Sequence, residues 1–113
     1  MNYEQLQAKM VALSHRKDMA TRVPDFIEDA RVILQYRLSL ALAPFTAPDD
    51  TNEILTENYL LYFYPAMKAL YEFIIELDTA SYYEQLYQGQ VAEYYIKRAG
   101  TTPLVITPEC PAP

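Results

Sequence analysis

The stretch Asn58 to Phe73 reads NYLLYFYPAMKALYEF, with four tyrosines, two phenylalanines, a proline and a single lysine. Such a run can serve a membrane, a nucleic-acid base, a hydrophobic core or a partner protein. Length argues against the membrane: the longest uncharged part, Asn58 to Met67, is about half of the ~20 apolar residues that span a bilayer. Spacing argues for a core. Leu60, Phe63, Met67, Leu70, Ile74 and Leu77 recur at intervals of 3, 4, 3, 4 and 3. That is the two-per-heptad seam with which one helix packs on others. Pro65 interrupts it and predicts a kink or a helix start, because proline withholds an N–H and crowds the preceding turn.

The rest of the chain reads as helix around this segment. Its 113 residues suffice for one domain with one modest core. Two glycines, Gly89 and Gly100, are few for an all-β protein with its many tight turns. Upstream, Asn2 and Gln5 have capping-box spacing, and Tyr3, Leu6, Met10 and Leu13 form one helical face. SHRKD breaks that pattern. A second helix starts near Pro24 and carries Ile27, Ala30, Leu34, Leu38 and Ala41 as its stripe. APFTAPDD is a linker, and Asp50 with Glu53 offers a cap before NEILTEN. Downstream, Ser81 and Glu84 make a further capping-box pair. The last helix runs to about Arg98, with Lys97 and Arg98 at the negative end of its dipole and Gly100 as its stop. The expected fold is all-α: an antiparallel bundle of about four helices over residues 1–100, followed by an extended proline-rich tail over 101–113.

Composition narrows the partners. Fifteen acidic against nine basic residues leave a formal charge of −6, which disfavours bulk affinity for nucleic acid or anionic lipid. The opening MNYEQLQAKM has no long apolar block, so no signal peptide is expected. The single cysteine, Cys110, cannot close an internal disulfide, which fits a reducing compartment.

A search for chemistry finds little. His15 is the only histidine, which removes a Cys/His metal site. Beside Arg16 and Lys17 it reads as a solvated loop residue. Neither glycine belongs to a phosphate loop. Ser14 neighbours His15 in sequence, but adjacency is not triad geometry. Glu72 and Glu76 share a helical face without the histidines a di-metal bundle uses, so they read as solvated acids. No catalytic, cofactor-binding or metal residues are expected, and the chain is not read as an enzyme.

What remains is tyrosine. Tyr59, Tyr62, Tyr71, Tyr82, Tyr83, Tyr87, Tyr94 and Tyr95 exceed what one small core would bury. Tyrosine suits protein interfaces, since it covers a large area and keeps a hydroxyl. These tyrosines read either as rings that cap the core rim, for about half of them, or as an interface for the C-terminal set, with Tyr87, Tyr94 and Tyr95 expected to bind a partner. Gly89, inside a good helix, marks either a tolerated defect or the close approach of a neighbouring helix or subunit. In the tail, Leu104, Val105 and Ile106 form a β-branched run between Pro103 and Pro108. They read either as a frayed end or as a single strand that seeks an edge on another chain.

The helical segments also resemble a known family. MNYEQLQAKMVALSHRKDMATRVPDFIEDARVIL resembles the amino-terminal part of tailed-phage head-to-tail adaptor proteins, the connector or tail-tubular-protein-A-like subunits. TNEILTENYLLYFYPAMKAL is similar to that family's later helix, with Leu61, Tyr62, Phe63 and Tyr64 matching its aromatic segment. SYYEQLYQGQVAEYY resembles the helix after it. The likeness covers residues 2–41 and 51–95 through loose patterns. This chain departs from many members in having only APFTAPDD where they carry a β-rich insert, and in the position of its proline. The resemblance implies a virion protein, assembled in the host cytoplasm, that forms a dodecameric ring between portal and tail. Its partners would be the portal protein, a downstream tail protein and copies of itself. DNA would pass without specific binding, and the tail, through Val105 and Ile106, would dock on the portal or an adjacent subunit. A different reading is a small soluble helical regulator or assembly chaperone that binds one partner helix.

Overall fold

The computed structural model describes residues 1–99, with five α-helices, one 3-10 turn and no strand among them. Helix α1 spans Tyr3–Ser14, α2 Val23–Leu38, α3 Glu53–Glu57, α4 Leu60–Phe73 and α5 Leu77–Ala99. The all-helical bundle expected from the spacings is present, with the one-turn α3 as an additional element. Gly100 and the tail residues Leu104, Val105 and Ile106 lie outside the described residues. Among the described residues no helix is long and apolar enough to cross a membrane.

Helix α4 is the centre. It packs on α5 along one side and on α2 along another, while α1 and α3 close its remaining edges. The reason lies in its composition. A seam would bury one stripe, but Leu61, Tyr62, Phe63, Pro65, Ala66, Met67 and Leu70 are all buried. They cover most of the helix circumference, and a helix apolar on nearly all sides must be surrounded. The chain runs as helix through Pro65, so the proline neither starts nor ends the element.

Each remaining helix presents a narrower face. In α2, Val23, Phe26, Ile27, Ala30, Leu34 and Leu38 are buried. In α1, Leu6, Met10 and Ser14 are buried, while Leu13 turns outward. The capping box forms: Asn2 Oδ1 accepts from the Gln5 N–H at 2.9 Å, and Gln5 Oε1 accepts from the Asn2 N–H at 3.0 Å. The linker supplies other caps. The Tyr3 and Glu4 N–H groups, orphaned by their place in the first turn, donate to the carbonyls of Asp50 and Pro48 at 2.8 and 2.9 Å.

The linker is thus part of the packing. Phe45 stacks on Tyr3 at 5.1 Å and leans on Tyr62 at 5.3 Å. Arg31 Nη1 donates to the Leu42 carbonyl at 2.7 Å, and Gln35 Oε1 accepts from the Leu42 N–H at 3.0 Å. The cap expected of Asp50 belongs instead to Asn52, whose Oδ1 accepts from the Leu55 N–H at 2.9 Å. Asp50 holds the linker bend, accepting from the Thr46 and Ala47 N–H groups at 2.7 and 2.9 Å. Those bonds, Ala47 foremost, keep its carboxyl below the ordinary range.

Three helix ends are decided by left-handed residues that are not glycine: His15, Ser39 and Ile75, with φ of 55°, 55° and 59°. After α4, the Glu76 N–H donates to the Tyr71 carbonyl at 2.8 Å and the Ile75 N–H to the Glu72 carbonyl at 3.1 Å. This is a Schellman stop with isoleucine where glycine is usual. The stops at Ile75 and Ser39 correct three sequence expectations. Leu77 leaves the seam and is exposed, because α4 has ended before it. Ser81 does not cap, because α5 has already begun at Leu77. Ala41 leaves the α2 stripe, because Ser39 stops that helix.

Two outcomes follow from this architecture. Leu70 is fully buried in α4, so Leu70→Ala lowers stability by about 2–5 kcal/mol; an unmoved thermal melt would contradict the central role of α4. Left-handed isoleucine is strained by about 1–2 kcal/mol. Ile75→Gly therefore raises the urea midpoint, with a net gain of about 1 kcal/mol after the entropy of the freer unfolded glycine. An unchanged or lower midpoint would show that the loop holds isoleucine without strain.

Candidate functional site

Most of the tyrosines find partners inside the domain. Tyr62 is fully buried, and its hydroxyl accepts from Asn52 Nδ2 at 2.9 Å. Tyr71 and Tyr83 stack at 5.6 Å with ring planes 8° apart, tying α4 to α5. Tyr64 leans on Tyr83 at 6.0 Å, and Tyr59 meets Phe63 edge-on at 6.0 Å. Tyr94 is half-buried beside Glu57 and Asn58, with the Arg98 guanidinium 5.6 Å from its ring centre.

The residue of this type that projects furthest is one the sequence reading passed over. Tyr36 is 89% exposed, and Val32 and Ile33 on the same helix are 50% and 41% exposed. Spacing carried a signal for it. Val32, Ile33 and Tyr36 sit at i, i+1 and i+4, off the stripe of Ile27, Ala30, Leu34 and Leu38, and so mark a second apolar face on α2.

That face forms one wall of a groove. Helix α5 supplies the other wall through Glu84, Tyr87 and Gln88, and Pro65 and Lys68 of α4 lie between. The helices make it because α4 separates α2 from α5, leaving their outer flanks apart above Pro65. Few direct ties cross the opening. Arg37 Nη2 donates to Gln88 Oε1 at 3.1 Å, and the Tyr95 hydroxyl donates to the Arg37 carbonyl at 2.6 Å.

The polar groups of the groove are unequally satisfied. Lys68 Nζ lies 3.0 Å from Glu84 and 3.8 Å from Glu72. Burial raises the Glu84 carboxyl, but hydrogen bonds from Gln88 and Lys68 outweigh it and hold the group below its ordinary range. Arg37 has only the neutral Gln88 amide as side-chain partner, and no carboxylate pairs with it among the described residues. Tyr87 is 3% exposed, and its hydroxyl has no hydrogen-bond partner among the described residues. Burial pushes that phenol above its ordinary range, with Arg37 pulling the other way. A buried hydroxyl without a partner costs roughly 1–3 kcal/mol until something meets it.

The residues expected to bind a partner therefore separate. Tyr87 and Tyr95 come to the α2–α5 side, Tyr87 as a wall of the groove and Tyr95 as a strut to Arg37. Tyr94 lies elsewhere. Gly89 is exposed, and a Cβ built on it meets nothing within 4 Å. No other helix among the described residues approaches there. Among the described residues no group of three or more His, Cys, Asp or Glu side chains is placed to hold a metal.

The open space at Gly89 sets an expected outcome. Gly89→Ala stabilises the domain by about 0.5–1 kcal/mol, the helix-interior difference between the two residues. Chemical denaturation measures it, and a loss of stability would mean that the position is more crowded than its surroundings here allow. No family model matches this chain, and neither a curated protein nor a solved structure is found to match it.

Proposed function

We propose that this chain is a structural assembly subunit, and that its assembly is the head-to-tail adaptor ring between portal and tail of a tailed phage. One observation carries the first part. Among the described residues, a small all-helical domain leaves two separate apolar surfaces exposed, the groove wall of Val32, Ile33 and Tyr36 and the α4–α5 turn with Ile75 and Leu77. Scattered single apolar residues are ordinary on a surface, but contiguous ones favour contact with another protein. The second part rests on the resemblance of the helical segments. A charge of −6 per subunit is compatible with it. A ring of such subunits surrounds its channel with negative charge, and DNA phosphates slide past rather than adhere.

The groove also favours a second reading, an assembly chaperone that holds a partner helix between α2 and α5. Mass spectrometry of purified particles separates the two. An adaptor is retained in finished, DNA-filled particles in a fixed ratio to portal. A chaperone is found with portal or tail protein in the cell extract and is absent from finished particles, and that result would overturn the adaptor reading.

A further inference from the structure

We propose that the α4–α5 turn of one copy of this chain inserts into the α2–α5 groove of the next, and that this contact builds the assembly. The inference rests on the assembly reading above and names its interface.

The turn is shaped for insertion. Ile75 is 77% exposed and Leu77 62%, and Phe73 beside them is 48% exposed. Ile75 also holds a φ of 59°, which a β-branched residue adopts only under strain. Glycine would make the same Schellman stop without it. Isoleucine there adds apolar surface at the turn, and among the described residues nothing covers that surface.

The groove is complementary in two respects. Val32, Ile33 and Tyr36 present apolar area of the kind that would cover Ile75 and Leu77. Arg37 is a cation with no carboxylate partner among the described residues, and Glu76 and Asp78 on the turn are exposed carboxylates in no ion pair there.

The contact runs between copies. Leu77 and Tyr87 lie on one helix, ten residues apart, so a rise of about 1.5 Å per residue holds the turn about 15 Å along the axis from Tyr87. A turn fixed there by its own helix does not fold into its own groove. Because turn and groove are different surfaces, the contact is heterologous, and its repetition gives a closed ring or an open helix rather than a pair.

Cysteine pairing tests the proposal. In a Cys110→Ser background, one preparation carries Val32→Cys and another Ile75→Cys, both at exposed positions. Mixed under mild oxidant, the two are expected to form the mixed disulfide at least about tenfold faster than either does with a control carrying Asp49→Cys in the exposed linker, away from both turn and groove, since docking raises the effective thiol concentration. Size measurement adds a second arm. Ile75→Asp and Tyr36→Asp each lose self-association, and mixed together they form a complex of two chains and nothing larger, because one intact turn meets one intact groove. Circular dichroism confirms that both are folded, and aspartate tolerates the left-handed site. Cross-linking at the control rate, or single variants that assemble as the native chain does, would overturn this interface while leaving the adaptor reading in place. Absence of the chain from finished particles would remove the adaptor reading whether or not turn and groove cross-link.

Discussion

Everything else in this domain depends on the need to cover helix α4. Its side chains are apolar around most of the circumference, so burial on one side leaves a second side in water. Helices α2 and α5 take the two main sides, and α1 and α3 take edges. A helix in that position keeps its two principal neighbours apart. The groove above Pro65 is the consequence: covering α4 with helices on separate sides leaves a gap between them.

The ends of the helices show how the chain turns corners with almost no glycine. His15, Ser39 and Ile75 each adopt a left-handed conformation, while neither glycine in the chain is found at these stops. Histidine and serine are short or polar enough to bear that conformation with modest strain. Isoleucine is not, since its branched Cβ crowds the backbone. Strain at an exposed position, with no compensating contact among the described residues, points to the surface that the residue presents.

The tyrosines divide between these roles. Tyr62, Tyr71 and Tyr83 serve the internal packing, as ring stacking and the Asn52 bond show. Tyr36 faces outward, and Tyr87 sits between the two cases, with a buried ring and an unmet hydroxyl. Enrichment in tyrosine therefore does not mark one surface. The same residue type fills the rim of the core and equips the groove, because an amphipathic ring suits any place where apolar packing meets a polar edge.

Local sequence determined the helices, the Asn2–Gln5 cap and the burial of Phe63, Met67 and Leu70, because periodicity and capping depend on neighbours a few residues away. It also held the second apolar face of α2, legible in Val32, Ile33 and Tyr36 but overshadowed by the stronger stripe beside it. Tertiary structure alone decided three things. It assigned the cap of α3 to Asn52 and gave Asp50 to the linker, since both carboxylate and amide are competent caps and only the path of the chain chooses. It ended α4 at Ile75, although the heptad spacing runs on to Leu77, because spacing records side chains and says nothing of φ. And it brought α2 and α5 to the two flanks of α4, placing Tyr36 opposite Tyr87, fifty-one positions away in sequence. No local pattern encodes that pairing; it arises from the shape of the helix between them.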